Sequence, residues 1–147
     1  MLLLCLLCGC RTPAPPALDL SDPAWMVRQG QAVWVAPSPK GQSEGLAGEL
    51  LVATRPDGSC WVQFAKPPFN LVIAQRTSMR WNISFQQGRQ RHGAPGKPPA
   101  RLLWFQLPDA LAGQTLESSW KFQRNADDAW LLENLKTGER LEGYLAP

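Results

Sequence analysis

Met79-Arg80-Trp81-Asn82-Ile83-Ser84-Phe85-Gln86 alternates apolar and polar side chains without a break. In an extended chain successive side chains point to opposite faces, so this period of two predicts a half-buried strand. Met79, Trp81, Ile83 and Phe85 are expected to face the interior, and Arg80, Asn82, Ser84 and Gln86 to face water. One wet face and one dry face is the mark of an antiparallel sheet. Outward from this stretch the chain offers more short extended runs: residues 31–36, 49–54, 60–65, 71–75, 120–124, 129–135 and 140–145. Turn-forming residues separate them, among them Arg55-Pro56-Asp57-Gly58, Asn125-Ala126-Asp127-Asp128 and Lys136-Thr137-Gly138. Residues 37–47 read as a polar loop, 66–70 as a rigid Pro-containing loop, and 87–99 as a break rich in Gly, Pro and charge. Two short helices are predicted. Ser21-Asp22-Pro23 supplies a cap and a first-turn Pro for residues 21–28, stopped by Gly30. Residues 100–107 place Leu103, Trp104 and Leu107 at helical spacing before Pro108. The fold class that follows is mainly β (α+β): a curled antiparallel sheet or incomplete β-barrel of seven or eight strands, with one or two short covering helices.

The chain has 147 residues, 44% apolar and 18% charged, which suits one globular domain with one modest core. Fourteen Pro and twelve Gly argue for many turns and against a helical bundle. Seven Trp and five Phe against one Tyr supply large flat side chains for a core or a cavity. There is one His, His92, in a Gly- and Arg-rich stretch, and no dense Cys/His or carboxylate cluster. No phosphate-cradling Gly loop, nucleophile elbow or metal-ligand spacing is present. These features predict a non-enzyme without metal or cofactor.

Residues 2–8 form an apolar run of seven, far short of the roughly 20 needed to span a bilayer but suited to a signal peptide. Leu7-Cys8-Gly9-Cys10 then resembles the bacterial lipobox, in which the Cys thiol is acylated and becomes the new N-terminus. The resemblance implies a signal peptide over 1–9, lipidation at Cys10, and membrane lipid as a partner through the acylated residue. Residues 10–20 read as a Pro-rich tether extended at about 3 Å per residue, ahead of a single domain over 21–147. Arg11 stands where an Asp would retain such proteins in the inner membrane, so a bacterial envelope protein at the outer membrane, facing the periplasm, is expected. Cys60 is then the one remaining thiol. Set in Ser59-Cys60-Trp61 with no neighbouring base, it reads as a small buried hydrophobe.

Charge is segregated. Between Gly58 and Pro108 stand seven bases (Lys66, Arg76, Arg80, Arg89, Arg91, Lys97, Arg101) and no acid. Such a block is a solvated face or a site for anionic lipid headgroups; nucleic acid is not expected outside the cytoplasm. Trp34, Trp61, Trp81, Trp104, Trp120 and Trp130 fall one per element, either filling a core or lining an apolar cavity. The order of elements resembles the LolA/LolB-like lipoprotein-localisation superfamily over residues 31–145. The resemblance rests on Gly48-Glu49-Leu50-Leu51-Val52, Trp61-Val62-Gln63-Phe64, Leu71-Val72-Ile73-Ala74, Arg80-Trp81-Asn82-Ile83 and Leu107-Pro108-Asp109-Ala110-Leu111-Ala112-Gly113. It implies an incomplete barrel holding acyl chains of lipids or lipoproteins, with Val52, Phe64, Trp81, Ile83, Phe85 and Trp104 lining the cavity. It also implies a membrane-contact loop carrying Lys66 and the apolar Phe69. A monomer is expected. The alternative is an anchored envelope scaffold or protein-binding module without a lipid cavity.

Overall fold

The computed structural model describes residues 19–38, 43–125 and 127–147. The expected signal peptide, Cys10 and tether residues 11–18 lie outside them. Nine antiparallel strands make one unclosed sheet: β1 (Met26–Val35), β2 (Leu46–Thr54), β3 (Cys60–Lys66), β4 (Phe69–Arg76), β5 (Arg80–Phe85), β6 (Gln90–Pro95), β7 (Trp120–Arg124), β8 (Trp130–Asn134) and β9 (Arg140–Leu145). Their spatial order is β6-β5-β4-β3-β2-β1-β9-β8-β7, so β1 pairs with both β2 and β9. Among the described residues a single α-helix, α1 (Leu103–Leu111), covers one face, which is the curled sheet with a covering helix that the alternation predicts.

Register carries the alternation from strand to strand. Arg28, Gly30, Ala32 and Trp34 stand opposite Val52, Leu50, Gly48 and Leu46, and Leu50 and Val52 stand opposite Phe64 and Val62. Val72 and Ala74 continue the row to Phe85 and Ile83. On the other side Trp34 meets Leu141, which meets Leu132. These side chains form the inner face, and α1 closes over it with Leu103, Trp104, Phe105, Leu107, Pro108 and Ala110 buried. A helix apolar on nearly every side is one sunk into a core. The C-terminus of α1 is closed by a Schellman turn. Gly113 (φ 74°) donates its N–H to Ala110 O, and Gln114 donates to Asp109 O. The left-handed conformation at that position is what selects Gly.

Glycines also permit the sheet's tightest approaches. A Cβ on Gly30 would collide with the Tyr144 carbonyl, and one on Gly143 with the Gln31 carbonyl, so the β1–β9 seam closes only because both lack one. At Gly48 a Cβ would lie 2.8 Å from the Phe64 ring and 2.6 Å from Ala65 O.

Five expectations are corrected. Residues 21–28 form no helix. Asp22 caps a turn through Ala24 N–H at 2.9 Å, and Trp25 N–H donates to Asp22 O, but the chain then enters β1. A helix that short is marginal in water, and the ladder to β2, nine residue pairs long, outweighs it. The second helix starts later than expected, at Leu103, because Pro99 to Leu102 is spent in a turn, and it runs through Pro108 rather than stopping there. The 66–70 loop is a hairpin with Pro67-Pro68 between paired Lys66 and Phe69. The 87–99 break contains β6, an edge strand exposed along most of its length. Met79 points away from the core: it occupies the β4–β5 turn, where Thr77 N–H donates to Arg80 O.

Candidate functional site

The inner face brings Val52, Phe64, Trp81, Ile83 and Trp104 into one buried cluster, with Phe85 half-buried at its margin. Rings fill it. Trp34 meets Trp104 edge-on at 5.3 Å and Phe64 at 6.3 Å between centroids, Phe64 meets Trp104 at 5.5 Å, and Trp81 meets Phe105 at 5.8 Å. Three of these four pairs are edge-to-face and Phe64–Trp104 is tilted, all at the centroid spacings that aromatic pairs favour. The ring network makes a wall between sheet and helix.

Polar groups pin this wall. Arg76 grips Asp109 of α1 with two hydrogen bonds, Nη1 to Oδ2 at 3.0 Å and Nη2 to Oδ1 at 2.7 Å. The Asp109 carboxylate raises the Arg76 pKa further, chiefly through those bonds. Trp34 Nε1–H donates to Glu139 Oε1 at 3.2 Å, and Trp120 Nε1–H to Ala100 O at 2.7 Å. Glu139 is buried, and burial raises its pKa against the lowering effect of the Trp34 bond. Burial also pushes the Cys60 thiol up to about 11, which makes it a poor nucleophile, as its sequence setting predicts. Three buried indole N–H groups, on Trp61, Trp104 and Trp130, have no acceptor among the described residues.

A second feature was not visible in the sequence. A groove of about 700 Å³ is bounded by residues of β1, β2, β7, β8 and β9 and by the Lys66-Pro67 corner. Its lining takes in adjacent residues of both orientations, the inward Ala32, Gly48, Trp130 and Gly143 and the outward Val33, Ala47, Leu131 and Tyr144. Val33 flanks Ala32 and Trp34, Ala47 flanks Gly48, Leu131 flanks Trp130 and Leu132, and Tyr144 flanks Gly143 and Leu145. Its walls are mainly apolar, with Glu49 and Glu142 as acids and Lys66 as the one basic lining residue. The volume lies in the range of small-ligand sites, about 300–1,000 Å³. The groove unites positions from the first, second and last strands. Single-strand periodicity cannot reveal it; the signal available was the apolar character of outward positions such as Val33, Leu131 and Tyr144.

Lys66 and Phe69 sit side by side across the hairpin turn, both exposed, with Phe69 retaining 51% of its surface. Phe69 therefore does not fold back onto the sheet. Among the described residues no group of three His, Cys, Asp or Glu is placed to hold a metal ion, and no helix is long and apolar enough to cross a membrane. No family model matches the chain, and no curated protein matches it either.

Proposed function

We propose that this chain is a lipid-anchored bacterial envelope protein, acylated at Cys10, whose β domain binds an acyl chain of a lipid or lipoprotein. The role that goes with it is assistance in outer-membrane lipoprotein localisation, as its resemblance to the LolA/LolB-like layout implies. The observation that carries the reading is the groove of about 700 Å³, mostly apolar, whose lining includes Lys66 together with Glu49 and Glu142. The inner cluster of Val52, Phe64, Trp81, Ile83 and Trp104 is already occupied by its own rings, and Phe85 borders it. An acyl chain therefore has its place in the groove, against Val33, Ala47, Leu131 and Tyr144, with the ring cluster as the rigid wall behind. Lys66 and Phe69 form the lip, the ammonium meeting a headgroup phosphate and the ring covering the first methylenes. Trp130 belongs to both groove and core.

The test is mass spectrometry of solvent extracts from the full chain purified from bacterial membranes. One acyl-bearing lipid per chain is expected beyond the covalent anchor. Ala47→Trp, which fills the groove from an exposed position, should cut that occupancy at least tenfold without altering the fold. Lipid-free protein, or occupancy indifferent to Ala47→Trp, refutes the groove reading and leaves the anchored scaffold.

A further inference from the structure

We infer that the β4–β5 turn is a docking point for an anionic bilayer, with Met79 entering the interface and Arg80 and Lys97 meeting headgroups. Met79 retains 76% of its surface and Met26 retains 68%, the two most exposed large apolar side chains among the described residues. Both lie at one end of the sheet. Met26 stands opposite Thr54, Thr54 opposite Cys60, Cys60 opposite Arg76, and Arg76 opposite Trp81. The turn is held in shape: Thr77 N–H and Gly96 N–H donate to Arg80 O and Met79 O, both at 2.8 Å. Met79 is thus presented on a short scaffold rather than on a long loop.

The charges around it are those an anionic surface attracts. Arg80 and Lys97 are exposed and have no acidic partner among the described residues. Of the acids at this end, Asp22 and Asp109 are neutralised by arginines, while Asp57 and Asp19 keep their charge and are tied into local turns. Asp22 pairs with Arg55 at 2.8 Å, Asp109 with Arg76 at 2.7 Å, and Asp57 and Asp19 accept the N–H groups of Ser59 and Ser21.

The chain itself selects the occupant. The described residues begin at Asp19, and the segment leading out passes the Arg55–Asp22 pair, so it leaves from this same end. Cys10 stands nine residues upstream of Asp19. Nine residues reach at most about 30 Å. An acyl anchor there tethers the domain by this end, with the Lys66–Phe69 end the more distant of the two. The β4 strand that separates the two ends has eight residues, or about 26 Å at 3.3 Å each. Docking through Met79, Arg80 and Lys97 turns the Phe69 lip outward toward incoming lipid. In this one respect the inference rests on acylation of Cys10.

The test separates the two claims by removing the anchor. The full chain carrying Cys10→Ser is sedimented with vesicles of phosphatidylcholine containing phosphatidylglycerol, and with vesicles of phosphatidylcholine alone. The N-terminal apolar run adheres to both, so the readout is the excess on anionic vesicles. That excess should fall roughly 30-fold in Arg80→Ala/Lys97→Ala, at about 1 kcal/mol for each cation near an anionic surface. It should also fall in Met79→Asp and survive Phe69→Glu. All these side chains are exposed, so melting curves should stay in place and confirm that each variant is folded. No excess on anionic vesicles, or an excess that Phe69→Glu abolishes and the Met79 and Arg80/Lys97 variants leave intact, overturns the inference. The acyl-lipid content of the groove, measured separately, is not affected by either result.

Discussion

Asp109→Asn should loosen the helix from the sheet. Arg76 and Asp109 make two charge-assisted hydrogen bonds, and their side chains keep 18% and 23% of their surface. A hydrogen bond to a charged group contributes about 1.5–3 kcal/mol, and stripping one partner from a fully buried pair costs about 3–5 kcal/mol. The residual exposure, and the Gly58 carbonyl that still accepts from Arg76 Nε at 3.1 Å, bring the expected loss down to about 2 kcal/mol. For a domain of this size that is a fall in Tm of roughly 8 °C. Urea unfolding followed by tryptophan fluorescence measures it, since α1 carries Trp104 into the ring cluster. A double-mutant cycle with Arg76→Gln should return a coupling of at least about 1 kcal/mol. A loss below about 0.5 kcal/mol, or additive single losses, would show that the pair does not clamp α1 and would refute the reasoning.

Phe64→Ala should cost about 3–5 kcal/mol in the same assay, because Phe64 is fully buried against Trp34 and Trp104. Half-buried Phe85→Ala should cost about 1–2 kcal/mol and Ser84→Ala almost nothing; equal losses would contradict the register. Glu139 binds its proton more tightly folded than unfolded, so its favourable contribution holds below the ordinary value of 4.5 and is lost as pH rises through the raised folded value. Glu139→Gln should therefore gain stability relative to the parent as pH rises from the ordinary value of 4.5 through the raised folded value, and parallel pH–Tm curves would exclude this. Phe69→Glu should move Tm by less than about 2 °C, and a fall of several degrees would mean that the ring is an internal plug.

The parts legible in the sequence are those where one face of an element is dry and the other wet. Trp81 and Ile83 read inward and are inward, residues 140–145 are a strand with the bounds their turns imply, and the β7–β8 hairpin follows its polar tetrapeptide. The misread parts are those where tertiary pairing overrules local chemistry. Asp22 and Pro23 offer a helix start, but Val27 and its neighbours gain more from β2. β6 is an edge strand with little to bury, so Arg91, His92 and Gly93 carry no alternation to detect. Pro67-Pro68 reads as a stiff loop because the register that makes it a hairpin turn belongs to the flanking strands. Of the candidate site, the buried members were visible as apolar positions. The groove was not, since it exists only where strands from both ends of the chain lie side by side.

The β1–β9 seam has a consequence for how the chain is made. β1 to β6 follow one another as a meander, so each strand can pair with its predecessor as it appears. The second partner of β1 comes last: Gly30 waits for Leu145. Until then β1 is an open edge bearing unpaired backbone groups and half of an unfinished core, the configuration most exposed to mispairing with another chain. The contacts that close it span nearly the whole domain, and such non-local pairing is slow to form. A nascent or truncated chain lacking β9 would therefore fail as a sticky half-sheet.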